Sequence, residues 1–216
     1  DRSKVEVALV VGDSTDDSWM ASQELLGLLR EKGFRQVYLQ QLNLGFTLPH
    51  TARHLEAVQM PRLRGLAITR QFIVDNFLGE NEYLWWVDAD YQVIPPQSLR
   101  QLLACGKAFV IPNLRLPNGV LYDFGSRVSG KSIDEMDGEA LIELDIASAH
   151  AFIHASVFKI ASYLGNPAED RGMDPKFLLG KVTFQEGDVL SIRARAAGVP
   201  LYVAKDIVVI HSMTDG

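Results

Sequence analysis

The sequence predicts an α/β domain with a mainly parallel central sheet flanked by helices. Short apolar runs rich in β-branched and aromatic residues alternate along the chain with longer segments of helical periodicity. Loops rich in Gly, Asp and Ser follow several of these runs, as at the turn from a strand into a helix. Strands that each return through a helix lie parallel, so this order favours a mainly parallel sheet.

Length and composition indicate one globular domain over residues 1–216. With 216 residues, of which 47% are hydrophobic, the chain is long enough for a single sizeable core. No run reaches the roughly 18 apolar residues of a membrane span, and no signal peptide is visible, so we expect a soluble domain. The single cysteine, Cys105, excludes an internal disulfide and a cysteine-based metal cluster. A net charge of −6 disfavours a polyanionic partner, although a local basic groove leaves a nucleic-acid partner open.

The first part of the chain predicts a strand, a helix, a second strand and a helical pair. KVEVALVV, residues 4–11, is typical of a buried strand, and the polar loop after it supplies caps for a helix ending at Gly33. Residues 37–39 predict a second short strand. Residues 51–60 and 62–77 are helical in pattern, with a break expected at Pro61.

In the rest of the chain predicted strands and helices continue to alternate, beginning with an aromatic run, YLWWV, that is followed by two acids. A long loop rich in Gly, Asn, Ser and Asp interrupts this alternation, and loops of that length are commonly functional. The predicted elements are a strand at 83–88, a helix at 95–104, a strand at 107–112, the loop at 113–138, strands around 140–155, a helix at 186–197 and closing strands at 201–204 and 207–211.

Polar side chains follow three of the predicted strands at the point where each strand ends. Asp13 follows the first, Asp88 and Asp90 follow the aromatic strand, and His211 ends the last. Ligands of open α/β sheets bind beyond the carboxyl ends of the strands, so we expect these groups to converge on one cleft. Carboxylates and an imidazole suit Mg²⁺ or Mn²⁺ that also binds phosphate. The alternative is that the two acids cap a turn before Pro95; the preceding apolar strand and His211 favour the metal site.

A run of motifs then points to a family. Residues 64–113, RGLAITRQFIVDNFLGENEYLWWVDADYQVIPPQSLRQLLACGKAFVIPN, contain an arginine-bearing helix, the pattern W-x-D-x-D at Trp86, a proline and a strand ending in Pro-Asn. A Tyr-Asp pair at Tyr122, a small-residue strand within 145–158 and an acidic helix start at Glu186 follow in that order. The whole resembles the GT-A glycosyltransferases and is most similar to the fungal Golgi mannan-synthesis mannosyltransferases.

The resemblance implies a Rossmann-like GT-A domain that transfers a sugar, as a hexosyl group, from a nucleoside-diphosphate donor to a glycan or other hydroxyl acceptor. It implies Mn²⁺ or Mg²⁺ as cofactor and a GDP- or UDP-sugar as donor. By analogy Asp90 binds the metal most directly, Asp88 binds it through water or touches the ribose, and His211 completes the metal shell. The metal ligands expected are therefore Asp88, Asp90 and His211.

The same resemblance assigns residues to the donor. The loop with Gly12 would lie near the nucleoside base, although an ordinary helix cap is the alternative there. Arg64 and Arg70 are candidates for phosphate or sugar, but six helical positions place them about 240° apart, so one is expected at the surface and Arg70 is favoured. The residues expected to contact the donor are Gly12, Asp13, Arg70, Asp88, Tyr122 and Asp123.

Glu186 and Asp188 are the expected catalytic acids on the acceptor side. They lie at a helix start, where acidic residues are also favourable for purely structural reasons. Two positions apart on a helix they point roughly 200° apart, so only one faces the cleft, and Asp188 is favoured. His150 and His154 are spaced for one face of a strand and are expected to be structural.

Other functions stay open from the sequence. A non-catalytic nucleotide-sugar-binding module and a virus-type DNA-base-modifying glycosyltransferase share the same motifs. A phosphatase-like site, with Asp88 as nucleophile, needs its motif on an early strand, whereas two predicted strands precede it here. We expect a cytoplasmic location for a bacterial or viral protein, and the Golgi lumen for a trimmed fungal-type domain.

Overall fold

The computed structural model describes residues 1–45, 56–122, 126, 128–136, 139–147, 150–164 and 186–212, with backbone alone for 56–61 and 186–188. The chain divides into two compact units, an N-terminal unit of Asp1–Gly79 and a C-terminal unit of Glu80–Gly216. The prediction of one domain over 1–216 stays a prediction. Every helix in the described part of the chain is too short or too polar to cross a membrane.

The N-terminal unit is built on two parallel strands. Strands β1 (Glu6–Gly12) and β2 (Gln36–Leu42) pair in register, and helix α1 (Ser18–Glu31) connects them, as parallel strands require. Helix α1 starts after Asp16, whose Oδ1 accepts a hydrogen bond from the Ser18 amide at 2.9 Å. It ends before Gly33, whose φ of 79° is the left-handed conformation that terminates helices, as predicted.

Helix α2 (Glu56–Phe77) runs through Pro61 without a break, so the predicted interruption is wrong. The proline lies near the start of a 22-residue helix, where it removes one backbone hydrogen bond while the following turns keep theirs. Its fixed φ is itself helical. Residues 51–55, where the preceding helical segment was predicted, lie outside the described residues.

The C-terminal unit contains a sheet of six strands in the described residues, in the order β3-β7-β5-β8-β4, with β6 also paired to β8. Helix α4 begins at Glu186 and the last strand is continuous, where two closing strands were predicted. The elements are β3 (Tyr83–Trp85), β4 (Tyr91–Val93), α3 (Ser98–Ala104), β5 (Phe109–Arg115), β6 (Leu141–Leu144), β7 (Phe152–His154), α4 (Glu186–Ala196) and β8 (Leu201–His211).

The α/β class, with a central sheet flanked by helices, is confirmed, and the sheet of the C-terminal unit is mixed. Strands β5 and β8 are parallel, whereas β3/β7, β5/β7, β4/β8 and β6/β8 are antiparallel. An apolar run in the sequence does not show whether a strand is parallel or antiparallel to its neighbours. The connection between the strands determines this. Strand β7 directly follows β6 through a loop, with no helix between them, so no crossover forces the short strands to be parallel.

The core of the C-terminal unit lies around β5 and β8. Six of the seven residues of β5 are buried, the pattern of a strand covered on both faces. A cluster of buried side chains from α3, β5, β7 and β8 packs beside it: Leu102, Val110, Phe152, Ala204 and Ile207. Strand β8 therefore runs through the core, and its last residue, His211, lies opposite Tyr91 of the neighbouring strand β4.

Candidate functional site

Asp88, Asp90 and His211 are placed by backbone hydrogen bonds around β4. The chain turns after β3, and the Tyr91 amide donates to the Asp88 carbonyl at 3.3 Å. Strand β4 then pairs with β8 so that Tyr91 lies opposite His211, and the Ser212 amide donates to the Asp90 carbonyl at 2.9 Å. The two ends of the unit's sequence are thereby joined at one place.

The side chains of Asp90 and His211 face each other. Nε2 of His211 lies 3.1 Å from Oδ2 of Asp90; the imidazole is 3% exposed and the carboxylate 44%. Nδ1 of His211 lies 2.6 Å from the Ser212 carbonyl oxygen, which only accepts, so Nδ1 donates there. In the neutral ring Nε2 then carries a lone pair toward a carboxylate oxygen. Two acceptors at this distance are stable only with a positive charge between them, from an imidazolium proton or a bound cation.

Tyr122 fixes the plane of the His211 ring. Its ring stacks on the imidazole with centroids 3.8 Å apart and planes 15° apart, and Tyr91 meets the same imidazole edge-on at 6.1 Å. The Tyr122 amide donates to the Leu114 carbonyl at 2.9 Å, in the turn that follows β5. The predicted functional loop thus brings Tyr122 to the histidine. Asp123, its predicted neighbour at the donor, lies outside the described residues.

Asp88 meets a different histidine. Oδ2 of Asp88 lies 3.5 Å from Nδ1 of His150, whose side chain is buried. The prediction that His150 and His154 share a strand face is wrong, because His150 precedes β7 and has a left-handed backbone with φ of 70°. His154 ends β7, and its Nε2 lies 3.8 Å from Oε1 of Glu82.

The fit of a divalent cation can be judged from these distances. Ligands at right angles, each about 2.1 Å from an octahedral ion, stand about 3.0 Å apart, close to the 3.1 Å between Nε2 of His211 and Oδ2 of Asp90. A ligating histidine commonly donates its other ring N–H to a carbonyl, as Nδ1 does here. In the described residues no three His, Cys, Asp or Glu side chains form a metal cage. Two protein ligands with open positions suit an ion shared with phosphate.

The loop after β1 has a different construction. Asp13 has φ of 44°, and its Oδ1 accepts hydrogen bonds from the Leu44 amide at 2.8 Å and the Gly45 amide at 3.2 Å. The loop therefore joins the carboxyl ends of β1 and β2. A cavity of about 360 Å³ opens there within the N-terminal unit, beside Gly12, and is lined by Asp13, Ser14, Thr15, Gln41, Leu42 and Asn43. Its convergence with the acids of the C-terminal unit stays a prediction.

Arg64 and Arg70 differ in solvent exposure, as their spacing on the helix predicted. Arg64 is exposed on α2, whereas Arg70 is 7% exposed. A guanidinium stays charged when buried and therefore requires polar partners, which makes Arg70 the functional candidate of the two. Its role at phosphate or sugar stays a prediction.

Helix α4 begins at Glu186, as predicted, and Asp188 lies in its first turn, where the backbone alone is described. Further along, Ser191 Oγ accepts from the Ala147 amide at 3.3 Å, and Arg195 pairs with Asp145 at 3.1 Å. The helix therefore lies antiparallel to the segment before His150. These contacts fix the direction of α4 in the C-terminal unit.

Of two further residues near the acids, Tyr91 was not considered from the sequence and His150 was expected to be structural. Tyr91 contacts both imidazoles, with its ring 4.9 Å from that of His150 and 6.1 Å from that of His211. The signal for Tyr91 was its position directly after the acidic pair. His150 carried no such signal, because a left-handed backbone at a histidine leaves no trace in the sequence.

Comparison with known proteins gives one family. The family model described as Anp1 matches residues 1–159 of the chain. The matched stretch contains Asp13, Asp88, Asp90 and His150, while α4 and His211 come after it. No curated protein matches the chain.

Proposed function

This chain belongs to the Anp1 family, which is related to Golgi mannosyltransferases, and from that premise we propose a metal-dependent glycosyltransferase. The reaction proposed is the transfer of a hexosyl group from a nucleoside-diphosphate sugar to an acceptor hydroxyl. Family membership supports glycosyltransfer in general. The metal, the donor and the sugar are the finer parts of the proposal.

The observation that carries the metal part is the close approach of the Asp90 and His211 side chains. Nε2 and Oδ2 lie 3.1 Å apart, while Nδ1 of the ring is engaged by the Ser212 carbonyl. We assign both side chains to the cation, and Asp88 to a water-mediated contact with it or to the ribose. A divalent cation bound there supplies positive charge next to the leaving diphosphate, where negative charge develops as the glycosidic bond breaks.

Other residues of the protein orient His211 and contact the donor in this proposal. Tyr122 holds the imidazole plane and covers one face of it, so that only Nε2 points into the site. Asp13 lines the cavity proposed for the nucleoside, Gly12 precedes it in the chain, and Arg70 is proposed for phosphate or sugar. Asp123 is proposed as a further donor contact on the grounds of the family resemblance alone.

The register of α4 supports Asp188 as the acid on the acceptor side. Arg195 contacts Asp145 and Ser191 contacts Ala147, so α4 runs antiparallel to the segment that leads toward His150. His150 in turn contacts Asp88. We propose that Asp188 accepts the proton of the incoming hydroxyl or holds the sugar, with Glu186 more peripheral.

A panel of GDP- and UDP-sugars tests the proposal. Thermal melting with Mn²⁺ and one nucleotide sugar should rise for the true donor and not for the others, because binding to the folded state alone stabilises it. Removing Mn²⁺ with a chelator should abolish the rise. The same donor should then be consumed, by hydrolysis or by transfer to a simple glycoside. A rise without any turnover would favour a binding module, and no rise with any donor would contradict the proposal.

A further inference from the structure

His150 sits beside the acids but is not exposed to a ligand. Its side chain is 5% exposed, and its ring packs against Tyr91 with centroids 4.9 Å apart. Nδ1 lies 3.5 Å from Oδ2 of Asp88. That distance is longer than an ordinary hydrogen bond but short enough for an electrostatic contact, and such contacts commonly tighten when the ligand binds.

The backbone of His150 is in an unusual conformation. Its φ of 70° is left-handed, a region that few residues other than Gly occupy, although Asn, Asp and His do so more often than the rest. The chain is held there by its neighbours: the Trp86 amide donates to the Ala151 carbonyl at 3.1 Å, and Phe152 begins β7. A residue in this sparsely populated conformation, directly beside an acidic side chain, points to a role in that site.

We propose that His150 is a positioning residue that fixes the carboxylate of Asp88, an inference that rests on the proposed function. Asp88 and Asp90 are one residue apart, and two carboxylates repel each other before a ligand neutralises them. With the ring proton on Nδ1, which lies 3.5 Å from Oδ2, the buried imidazole holds Asp88 against this repulsion. The nucleotide and cation then meet a carboxylate already in place, which lowers the entropy lost on binding.

Tyr91 connects the two halves of the site. Its ring contacts the imidazole of His150 at 4.9 Å and that of His211 at 6.1 Å. The Tyr91 side chain therefore packs between His150, which contacts Asp88, and His211, which contacts Asp90. His150 acts through Asp88 and does not itself touch the donor or the acceptor.

Two substitutions separate positioning from folding. His150→Gly removes the imidazole and relieves the left-handed backbone, because glycine adopts φ of 70° without strain. His150→Asn also tolerates that backbone, and its amide nitrogen occupies about the place of Nδ1 and can donate to Asp88. His154→Ala is the matched control, since His154 ends the same stretch but contacts Glu82 instead.

The measurement is calorimetric binding of GDP and of UDP, each with Mn²⁺, to the intact chain. For the nucleotide that the wild-type protein binds, His150→Gly should weaken affinity roughly tenfold or more, the effect typical of losing a group that orients a ligand. His150→Asn should stay within about threefold of wild type, and His154→Ala should not change affinity. Thermal melting without nucleotide checks that each variant stays folded, since His154 also accepts a hydrogen bond from the Ser156 amide and His150 packs against Tyr91.

A double-mutant cycle completes the test. In an Asp88→Ala background, His150→Gly should have no further effect on binding, because the group that it positions is gone. If His150→Gly binds like wild type, or if its effect persists without Asp88, the inference is overturned; so too if Asn and Gly are equally damaging. If the wild-type protein binds neither GDP nor UDP, the proposed function falls and takes this inference with it.

Discussion

Two acids at strand ends, Asp13 in the N-terminal unit and Asp90 in the C-terminal unit, are built in opposite ways. Oδ1 of Asp13 accepts hydrogen bonds from two amides of a neighbouring loop, Leu44 and Gly45. Oδ2 of Asp90 instead faces Nε2 of His211 at 3.1 Å, while Nδ1 of the ring is engaged by the Ser212 carbonyl. The first arrangement stabilises the loop by itself, whereas the second is completed only by an added positive charge.

The partner of each carboxylate distinguishes an acid that stabilises a loop from an acid that binds a ligand. Both follow an apolar strand in the sequence, so sequence position alone does not distinguish them. The partner does: a carboxylate satisfied by backbone N–H groups contributes to stability, and a carboxylate set against another acceptor contributes to affinity for a cation. Substituting Asp13 should lower the free energy of unfolding, and substituting Asp90 should lower the rate of sugar transfer.

The largest effect is expected from Asp90→Asn. The amide keeps the shape of the side chain but loses the charge, so metal-dependent transfer should fall roughly 10²-fold or more while melting stays near wild type. Initial rates of transfer at saturating Mn²⁺ measure this. Asp206→Asn, at an exposed position of β8, is the control and should leave the rate unchanged. Near wild-type transfer by Asp90→Asn would contradict the assignment of Asp90 to the cation.

Asp188→Ala tests whether nucleotide binding and sugar transfer depend on different residues of the C-terminal unit. As a general base, Asp188 should contribute roughly 10²- to 10⁴-fold to transfer, while nucleotide and Mn²⁺ binding stay almost intact. Glu186→Ala should cost less. Calorimetry with the nucleoside diphosphate beside a transfer assay decides between them. If Glu186→Ala is the more damaging change, the two roles exchange; if neither matters, the acceptor-side acid lies elsewhere, first at Asp123.

Asp13→Ala should act on stability. Losing the acceptor for two loop amides is expected to lower the free energy of unfolding by about 1–2 kcal/mol. Asp13→Asn keeps an acceptor oxygen and tolerates the left-handed backbone, so it should remain close to wild type. Urea unfolding without nucleotide measures both variants. Equal destabilisation by Asn and Ala would show that the amide hydrogen bonds are not the reason.

The smallest effect concerns pH and Asp16, at the start of α1. Hydrogen bonds, first from Ser14 and then from Ser18, lower the pKa of this exposed carboxyl to about 2 from its ordinary value of 3.8. Its stabilising contribution is therefore complete above the ordinary pKa and is lost as the pH falls toward about 2. Urea unfolding between these limits should show a slightly steeper loss for wild type than for Asp16→Ser. Parallel pH profiles would contradict the role of this cap.

Much of the fold followed from local patterns. Helix α1 ends before Gly33 and α4 starts at Glu186, because capping and periodicity are local properties of the chain. Strand direction did not follow, since β4, β6 and β7 run antiparallel to their neighbours for reasons that lie in the connections. Pro61 failed as a helix end because one lost hydrogen bond is tolerated within a long helix.

The site was predicted in part for the same reason. His211 ends a predicted strand, but β3 ends at Trp85, before the predicted end at residue 88, and Asp90 directly precedes β4, which was not predicted and whose pairing with β8 brings Asp90 to His211. His150 was predicted to be merely structural because its contact with Asp88 depends on tertiary packing and on a backbone conformation that no local pattern announces. Residues placed by long-range contacts need the structure to be recognised.

The central claim is that Asp90 and His211 together hold a divalent cation. Pulsed electron paramagnetic resonance of Mn²⁺ bound with GDP or UDP tests it most directly, because a coordinating imidazole nitrogen modulates the electron spin echo. We expect nitrogen modulation from the wild-type protein and its loss in His211→Asp, which retains a possible oxygen ligand. Bound Mn²⁺ without imidazole modulation in the wild-type protein, or with modulation that survives His211→Asp, would contradict the claim.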